Sequence, residues 1–203
     1  WAADKPLIGV NHLEGHVFAN FLNDKDLKPP FLALVVSGGH TALLVVKDYN
    51  SFELLGQTRD DAAGEAFDKV ARVLGLPYPG GPEVDRLSKE GKNNISFFHG
   101  KKPVNKDFSL SYSGLKTAVV NYIHNARQRG EQIVIEDVCC SLTHTAVDML
   151  ADTVVQAALS AHRDLIVLAG GVASNSYLRE TLSVRGREKG INVLFPPPVL
   201  CTD

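Results

Sequence analysis

Two apolar runs, Phe31–Val36 and Ala42–Val46, are separated only by Ser37-Gly38-Gly39-His40-Thr41. Runs of that length around a Gly-Gly turn read as two antiparallel strands joined by an open hairpin turn. Phe52–Gln57 adds a third strand to the meander. From Asp60 the apolar period lengthens to that of a helix, with Ala63, Phe67, Val70, Ala71 and Leu74 on one face. Asp60 or Asp61 stands where a helix cap is expected. Gly75, Pro77, Pro79, Gly80, Gly81 and Pro82 then break the helix and build a rigid loop, and Glu83–Ser88 predicts a further short helix. Gly91–Phe108 is polar, basic and aperiodic, as a surface excursion is. Ser113–Asn125 and Glu136–Ser160 predict long amphipathic helices, the second with Val138, Leu142, Ala146, Met149, Leu150 and Val154 on one face. A strand at Leu165–Ala169, a turn at Gly170–Ser174, a helix to about Lys189 and a strand at Val193–Phe195 follow. Upstream, Leu7–Val10 predicts a short strand, Asn11 opens a helix through His12, His16, Ala19 and Leu22, and Pro29-Pro30 marks a break.

This order predicts an α/β fold without the regular alternation of a doubly wound sheet. The meander followed by helices and βα units is the half-domain plan of actin-like ATPases, sugar kinases and ribonuclease-H-like folds, an analogy of fold that by itself carries no function. A hydrophobic share of 44% supports a substantial core. The net charge of −2 supplies no global basic field, so any nucleic-acid surface must be local. The three cysteines, two of them adjacent at Cys139 and Cys140, suit a reducing compartment better than a disulfide framework. Cys139 and Cys140, on a half-buried helix, are expected to be core thiols rather than nucleophiles. No apolar run reaches the ~20 residues of a membrane span. The chain begins at Trp1 and stops just after a strand, so both ends look cut.

Three segments can carry chemistry. His12 and His16 stand four residues apart, on one helical face with Cβ atoms about 5–6 Å from each other, close enough to share a metal ion. Glu14 sits about 200° around the helix from each, so it cannot be the base of a zinc protease. Two surface histidines remain the bland alternative unless a third ligand comes from elsewhere. The Ser37–Thr41 turn offers converging amides and hydroxyls to an anion, or is an ordinary hairpin. The turn Gly170-Gly171-Val172-Ala173-Ser174-Asn175 lets a nucleotide approach the backbone, or Ser174 or Asn175 simply caps a helix. Asp60, Asp61, Glu65 and Asp68 suit a helix N-terminus. Asp68 stands apart, on the Asp61/Gly64 side of its helix. His99, His124, His144 and His162 read as solvated or capping residues.

In this order and spacing the segments HLEGH, VVSGGHT, DDAAGEAFDKVARVLGLPYPGGP, SYSGLKT, LAGGVASN and CTD make the chain resemble the tRNA threonylcarbamoyltransferase family from about Gly9 to the last residue. Only Gly91–Lys106 matches loosely. The DDAAGEAFDK wording resembles the bacterial and mitochondrial branch. Leu13 replaces the commoner Met, a swap of similar volume expected to be silent.

The resemblance implies an actin-like ATPase (ribonuclease-H-like) fold of two lobes, with residues 1–29 as the tail of the first and residues 30–203 as most of the second. It implies transfer of a threonylcarbamoyl group from threonylcarbamoyl-AMP to the exocyclic amine of the adenosine 3′ of the anticodon, in tRNAs reading codons that begin with A. His12, His16 and Asp203 would ligate one divalent metal ion, iron or zinc. Val35, Val36, Ser37, Gly38 and Gly39 would hold the phosphate and acyl region, Asp68, Gly81 and Asp85 the ribose and adenine side, and Asn175 the opposite wall. The implied partners are tRNA, the adenylate, and helper proteins of the pathway or a second copy, with no membrane. The implied setting is cytoplasmic, or mitochondrial where a transit segment precedes the chain. Lys101, Lys102, Lys106, Lys116, Arg127 and Arg129 are candidate phosphate contacts, which a solvated basic face explains equally well. With half a cleft, these 203 residues alone are expected to have little or no activity. The rival readings are an actin-like small-molecule kinase or carbamoyltransferase, and a non-catalytic nucleotide-binding scaffold.

Overall fold

The computed structural model describes residues 5–98, 100 and 104–201. Five strands form one sheet: β1 (Phe31–Val36), β2 (Thr41–Asp48), β3 (Ser51–Gln57), β4 (Leu165–Ala169) and β5 (Asn192–Leu194), in the order β3-β2-β1-β4-β5. The meander β1–β2–β3 is antiparallel, while β4 runs parallel to β1 and β5 parallel to β4. Central strand β1 is apolar at every position because both of its faces are covered and every residue is buried.

Alternation along β1 sends its two side-chain sets to different layers. Leu32, Leu34 and Val36 join the main core with α2 (Ala63–Leu74), α3 (Gly80–Ser88), α4 (Ser113–Gln128), α5 (Ile135–Ser160) and α6 (Ser176–Glu188). Phe31, Ala33 and Val35 face the other way, in a smaller core with Val17 of α1 (His12–Asn23). Asn11 caps α1, its side chain accepting from Leu13 N at 2.9 Å and Glu14 N at 3.3 Å. Buried Asn20 pins the helix to the sheet by donating Nδ2 to the Leu168 carbonyl at 2.9 Å.

The predicted hairpin, third strand and helices form close to their expected bounds, and Cys139 and Cys140 are buried in α5. Burial pushes the Cys139 thiol up to about 12, far from a reactive thiolate. Helix α5 is long and apolar enough by length and composition to cross a membrane, but its acids interrupt any continuous apolar run and most of it is buried in the core here.

Three other expectations are corrected. Leu7–Val10 forms no strand; Leu7, Ile8 and Val10 are exposed, and no described strand offers them a ladder. His144 is not simply solvated: its ring lies 3.8 Å, centroid to centroid, from that of Tyr177, and burial lowers its pKa. Neither Asp60 nor Asp61 caps α2, whose N-cap is Ala62. Asp60 caps α4 across the chain instead, accepting from Tyr112 N at 2.8 Å, Ser113 N at 3.1 Å and the Ser113 hydroxyl at 2.7 Å, with the Ser111 hydroxyl also bound. Asp61 pairs with Lys69 at 2.7 Å and Lys116 at 2.8 Å. Both acids had better donors in the folded chain than the amides ahead of α2.

Burial opposes ionisation of Asp60, but the hydroxyls of Ser111 and Ser113 and the two backbone amides outweigh it and hold the carboxyl below its ordinary 3.8. A lowered folded-state pKa contributes stability that is complete above the ordinary value and lost as pH falls through the folded one. Asp60→Ala is therefore expected to cost about 0.5–2 kcal/mol at neutral pH, as lost caps do. In urea melts, the gap between Asp60→Ala and the parent should narrow below the ordinary aspartate value.

Candidate functional site

Strands β1 and β4 lie side by side and parallel, with Val35 opposite Ala169, and both end at a glycine-bearing turn. Ligands of open α/β sheets bind just outside the carboxyl ends of such strands. After β1, the Ser37 amide donates to the His40 carbonyl at 2.8 Å, and the His40 amide returns to the Ser37 hydroxyl at 3.1 Å. After β4, Gly170 takes φ 92°, and a Cβ there would lie 2.5 Å from the Val36 carbonyl oxygen. The start of α2 closes on the same turn, with Gly64 N donating to Ser37 O at 3.3 Å and Ala63 N to the Thr41 hydroxyl at 2.9 Å. A Cβ on Gly64 would stand 2.7 Å from Ser37 O and 2.8 Å from Gly38 Cα. The spacing of Gly64 and Asp68, one helical turn apart, signals a face turned to this approach rather than to the core.

These turns bound a cavity of about 350 Å³ lined by Gly38, Gly64, Phe67, Asp68, Pro79, Gly81, Pro82, Asp85, Gly171, Val172, Ser174 and Asn175. Its polar side chains are aimed by backbone donors. Asp68 Oδ1 accepts from Gly80 N at 2.7 Å and Gly81 N at 3.2 Å, capping α3. Asp85 Oδ1 accepts from the Ser176 amide and hydroxyl, both at 2.9 Å, and its other oxygen pairs with Lys89 at 3.0 Å. Asn175 caps α6 by accepting from Leu178 N at 2.9 Å. Each carboxylate has about four lone-pair sites, so these bonds leave acceptor capacity toward the cavity. Phe67, Pro79, Pro82 and Val172 supply flat apolar walls. Phe67 reads from periodicity as core alone, yet it is both a core residue and a cavity wall.

Of the stretch Val35 to Gly39, only Gly38 lines the cavity; Val35 and Val36 are wholly buried in β1, and Ser37 and Gly39 belong to the turn. Gly38, Asp68, Gly81, Asp85 and Asn175 come together. A second groove of about 400 Å³ runs between α1 and the segment after β5, lined by Val10, Asn11, His12, Gly15, His16, Ala19, Val199 and Leu200. The His12 and His16 rings are 4.6 Å apart, centroid to centroid, and His12 lies 6.0 Å from His40 in the β1–β2 turn. Two imidazoles on successive turns are a suitable pair of nitrogen donors for a metal ion. Among the described residues no group of three or more His, Cys, Asp or Glu side chains could complete such a site. Asp203 lies outside the described residues, three positions beyond Leu200 in sequence.

A larger cavity of about 470 Å³ is lined by residues 93–98 and 100 with Asp148, Asp152 and Arg185, none of them at either strand end. Its acids are engaged by Arg185, which reaches Asp152 at 2.7 Å and also pairs with Asp148, so it is the lesser candidate. Three of the candidate basic residues have partners within the chain. Lys116 pairs with Asp61, Arg129 with Glu131 at 2.6 Å, and Arg127 donates to the Val73 carbonyl at 3.1 Å, while Lys101 and Lys102 lie outside the described residues.

The sequence profile of the tRNA N6-adenosine threonylcarbamoyltransferase family matches residues 1–203. A protein of that name from Clostridium botulinum strain Hall is 55% identical over 203 residues, which are 100% of this chain and 60% of the relative. The Clostridium perfringens strain SM101 protein is 52% identical with the same coverage. The chain thus spans about 60% of the length of the curated relatives it matches. Among solved structures, T. kodakarensis HypF superposes with a TM-score of 0.73 at 16% identity, over 98% of this chain and 35% of HypF. The activator of 2-hydroxyisocaproyl-CoA dehydratase from Clostridium difficile gives 0.54 at 16% identity, over 92% of this chain and 62% of the activator. These likenesses establish the actin-like ATPase fold. With the profile matching along its whole length, the chain belongs to the tRNA N6-adenosine threonylcarbamoyltransferase family.

Proposed function

We propose that this chain is the nucleotide- and metal-binding part of an enzyme that transfers the threonylcarbamoyl group of threonylcarbamoyl-AMP to the N6 amine of the adenosine 3′ of the anticodon. The observation that carries this reading is the shared turn: Ser37–His40 presents Gly38 to the cavity and His40 to the histidines of α1. An adenylate in the cavity would therefore have its phosphate end near the groove of His12 and His16. Phe67, Val172 and the prolines give an adenine ring flat apolar walls, while Asp68 and Asp85 offer carboxylate oxygens to the ribose hydroxyls. Proteins of this fold have been captured with nucleotide, HypF in a phosphate- and nucleotide-bound form and the dehydratase activator with ADPNP.

His12 and His16, with Asp203, are the residues that would hold a divalent ion, iron or zinc. When bound, such an ion supplies Lewis-acid polarisation of an oxygen on the reactant. The chain's own contribution is orientation. A mixed carbamic–phosphoric anhydride already carries a good leaving group, so fixing it against the incoming amine is the main requirement. The remaining part of a full-length enzyme would complete the cleft, with residues 1–29 as the tail of one lobe and residues 30–203 as most of the other.

Full-length protein incubated with helper proteins, threonylcarbamoyl-AMP and unmodified tRNA is expected to yield threonylcarbamoyladenosine by mass spectrometry of digested nucleosides. His12→Ala should abolish it while leaving adenylate binding intact. A wild type that binds adenylate tightly but modifies no tRNA would favour the scaffold or small-molecule readings. The cavity has its own test. Gly64→Ala drives a Cβ into the Ser37 carbonyl, and overpacking of about 1–3 kcal/mol should weaken AMP about tenfold in calorimetry. Unchanged AMP affinity in Gly64→Ala would place the nucleotide elsewhere.

A further inference from the structure

Arg179 stands one turn after the Asn175 cap of α6, half-buried between the two grooves. Its Nε donates to the Ala173 carbonyl at 2.6 Å, within the turn that walls the nucleotide cavity. Its Nη2 donates to the Pro196 carbonyl at 2.8 Å and reaches Cys201 Sγ at 3.6 Å, on the segment that follows β5. The guanidinium also lies 5.5 Å from the centroid of the Phe195 ring. That segment carries Val199 and Leu200, which face His12 and His16 across the second groove. One planar cation thus clasps both the turn after β4 and the strip opposite the histidine pair.

We propose that Arg179 is a positioning residue that couples the two half-sites, holding the post-β5 strip in register with α1 according to the state of the nucleotide turn. The proposal rests on the reading that the cavity takes an adenylate and the histidines take a metal ion. A guanidinium fork fits this task because its donors diverge in one plane toward fixed acceptors. A lysine ammonium keeps the charge but presents a point donor on a flexible stem. Binding of AMP against Gly171, Val172 and Asn175 would stiffen the turn whose carbonyl Arg179 holds. The stiffness passes to Pro196 and Cys201 through the same side chain.

The test uses the full-length protein, its Arg179→Lys and Arg179→Gln variants, AMP in calorimetry, and Zn²⁺ in competition with a chelator, each ligand titrated with and without the other. Wild type should show each ligand tightening the other by about fivefold or more. Both variants should lose Zn²⁺ affinity by about 10–100-fold, as supporting partners of metal ligands do, and the mutual tightening should vanish. Arg179→Lys behaving as wild type would overturn the bridging role, since charge alone would then suffice. Should the variants fail to fold, hydrogen exchange in wild type gives an independent reading. AMP should slow exchange at the Leu200 and Cys201 amides, which donate to Pro197 O at 2.9 Å and Pro198 O at 3.1 Å. No change there sinks the coupling. If wild type binds both ligands independently, only this inference falls; if it binds neither, the assignment of the site falls with it.

Discussion

The contact on which this architecture depends is backbone against backbone, where the chain leaves β1 and β4. No side chain fits between Gly170 and the Val36 carbonyl, and none fits between Gly64 and Ser37. Two strand ends and the start of α2 therefore meet at main-chain distance, and the cavity opens where the three diverge. The left-handed φ of Gly170 is tolerated because glycine lacks a Cβ, and the same lack permits the close approach. A site made this way has few rotamers to settle, so its shape is largely fixed before any ligand arrives.

The acids of the cavity follow from the same economy. Asp68 caps α3 and Asp85 holds the start of α6, so each carboxylate ties its own helix to the start of another. An acid used as a cap is oriented by amides that cannot move without unravelling a helix turn. Binding and folding thus draw on the same hydrogen bonds. On the opposite face of the sheet, Asn20 fixes α1 to Leu168, one residue before the end of β4, and so sets where His16 and His12 stand relative to the turns.

Much of this was legible in the sequence, for physical reasons that differ between elements. Apolar runs located β1 to β5 and helical spacing located α1 to α6, because burial forces those patterns. Glycine pairs after apolar runs located both turns. Reach across the chain was not legible. Asp60 caps α4, more than fifty residues away, and nothing local distinguishes it from a cap for α2. Leu7–Val10 has the composition of a strand, but a strand exists only with a ladder beside it. The Val35 and Val36 positions illustrate a further limit: a motif places residues at a site, while only the fold tells which of them face it. Phe67 is the converse, a core position by periodicity that also forms a wall of the cavity.

Fold and chemistry separate cleanly here. At 16% identity HypF shares the architecture and says nothing of the reaction. The meander, the two turns and the capped helices amount to a cradle, which the proposed function fills with a nucleotide. What the α1 helix adds is a pair of imidazoles facing the turn from the side where a phosphate would emerge. An activated acyl adenylate needs little acid–base help to react, but it must be kept from water and held against one amine. On the proposed function, the glycine turns and carboxylate caps would set the position of the adenylate, and the histidine pair would stand at its reactive end. Arg179, holding both borders at once, is where a change in one would be felt by the other.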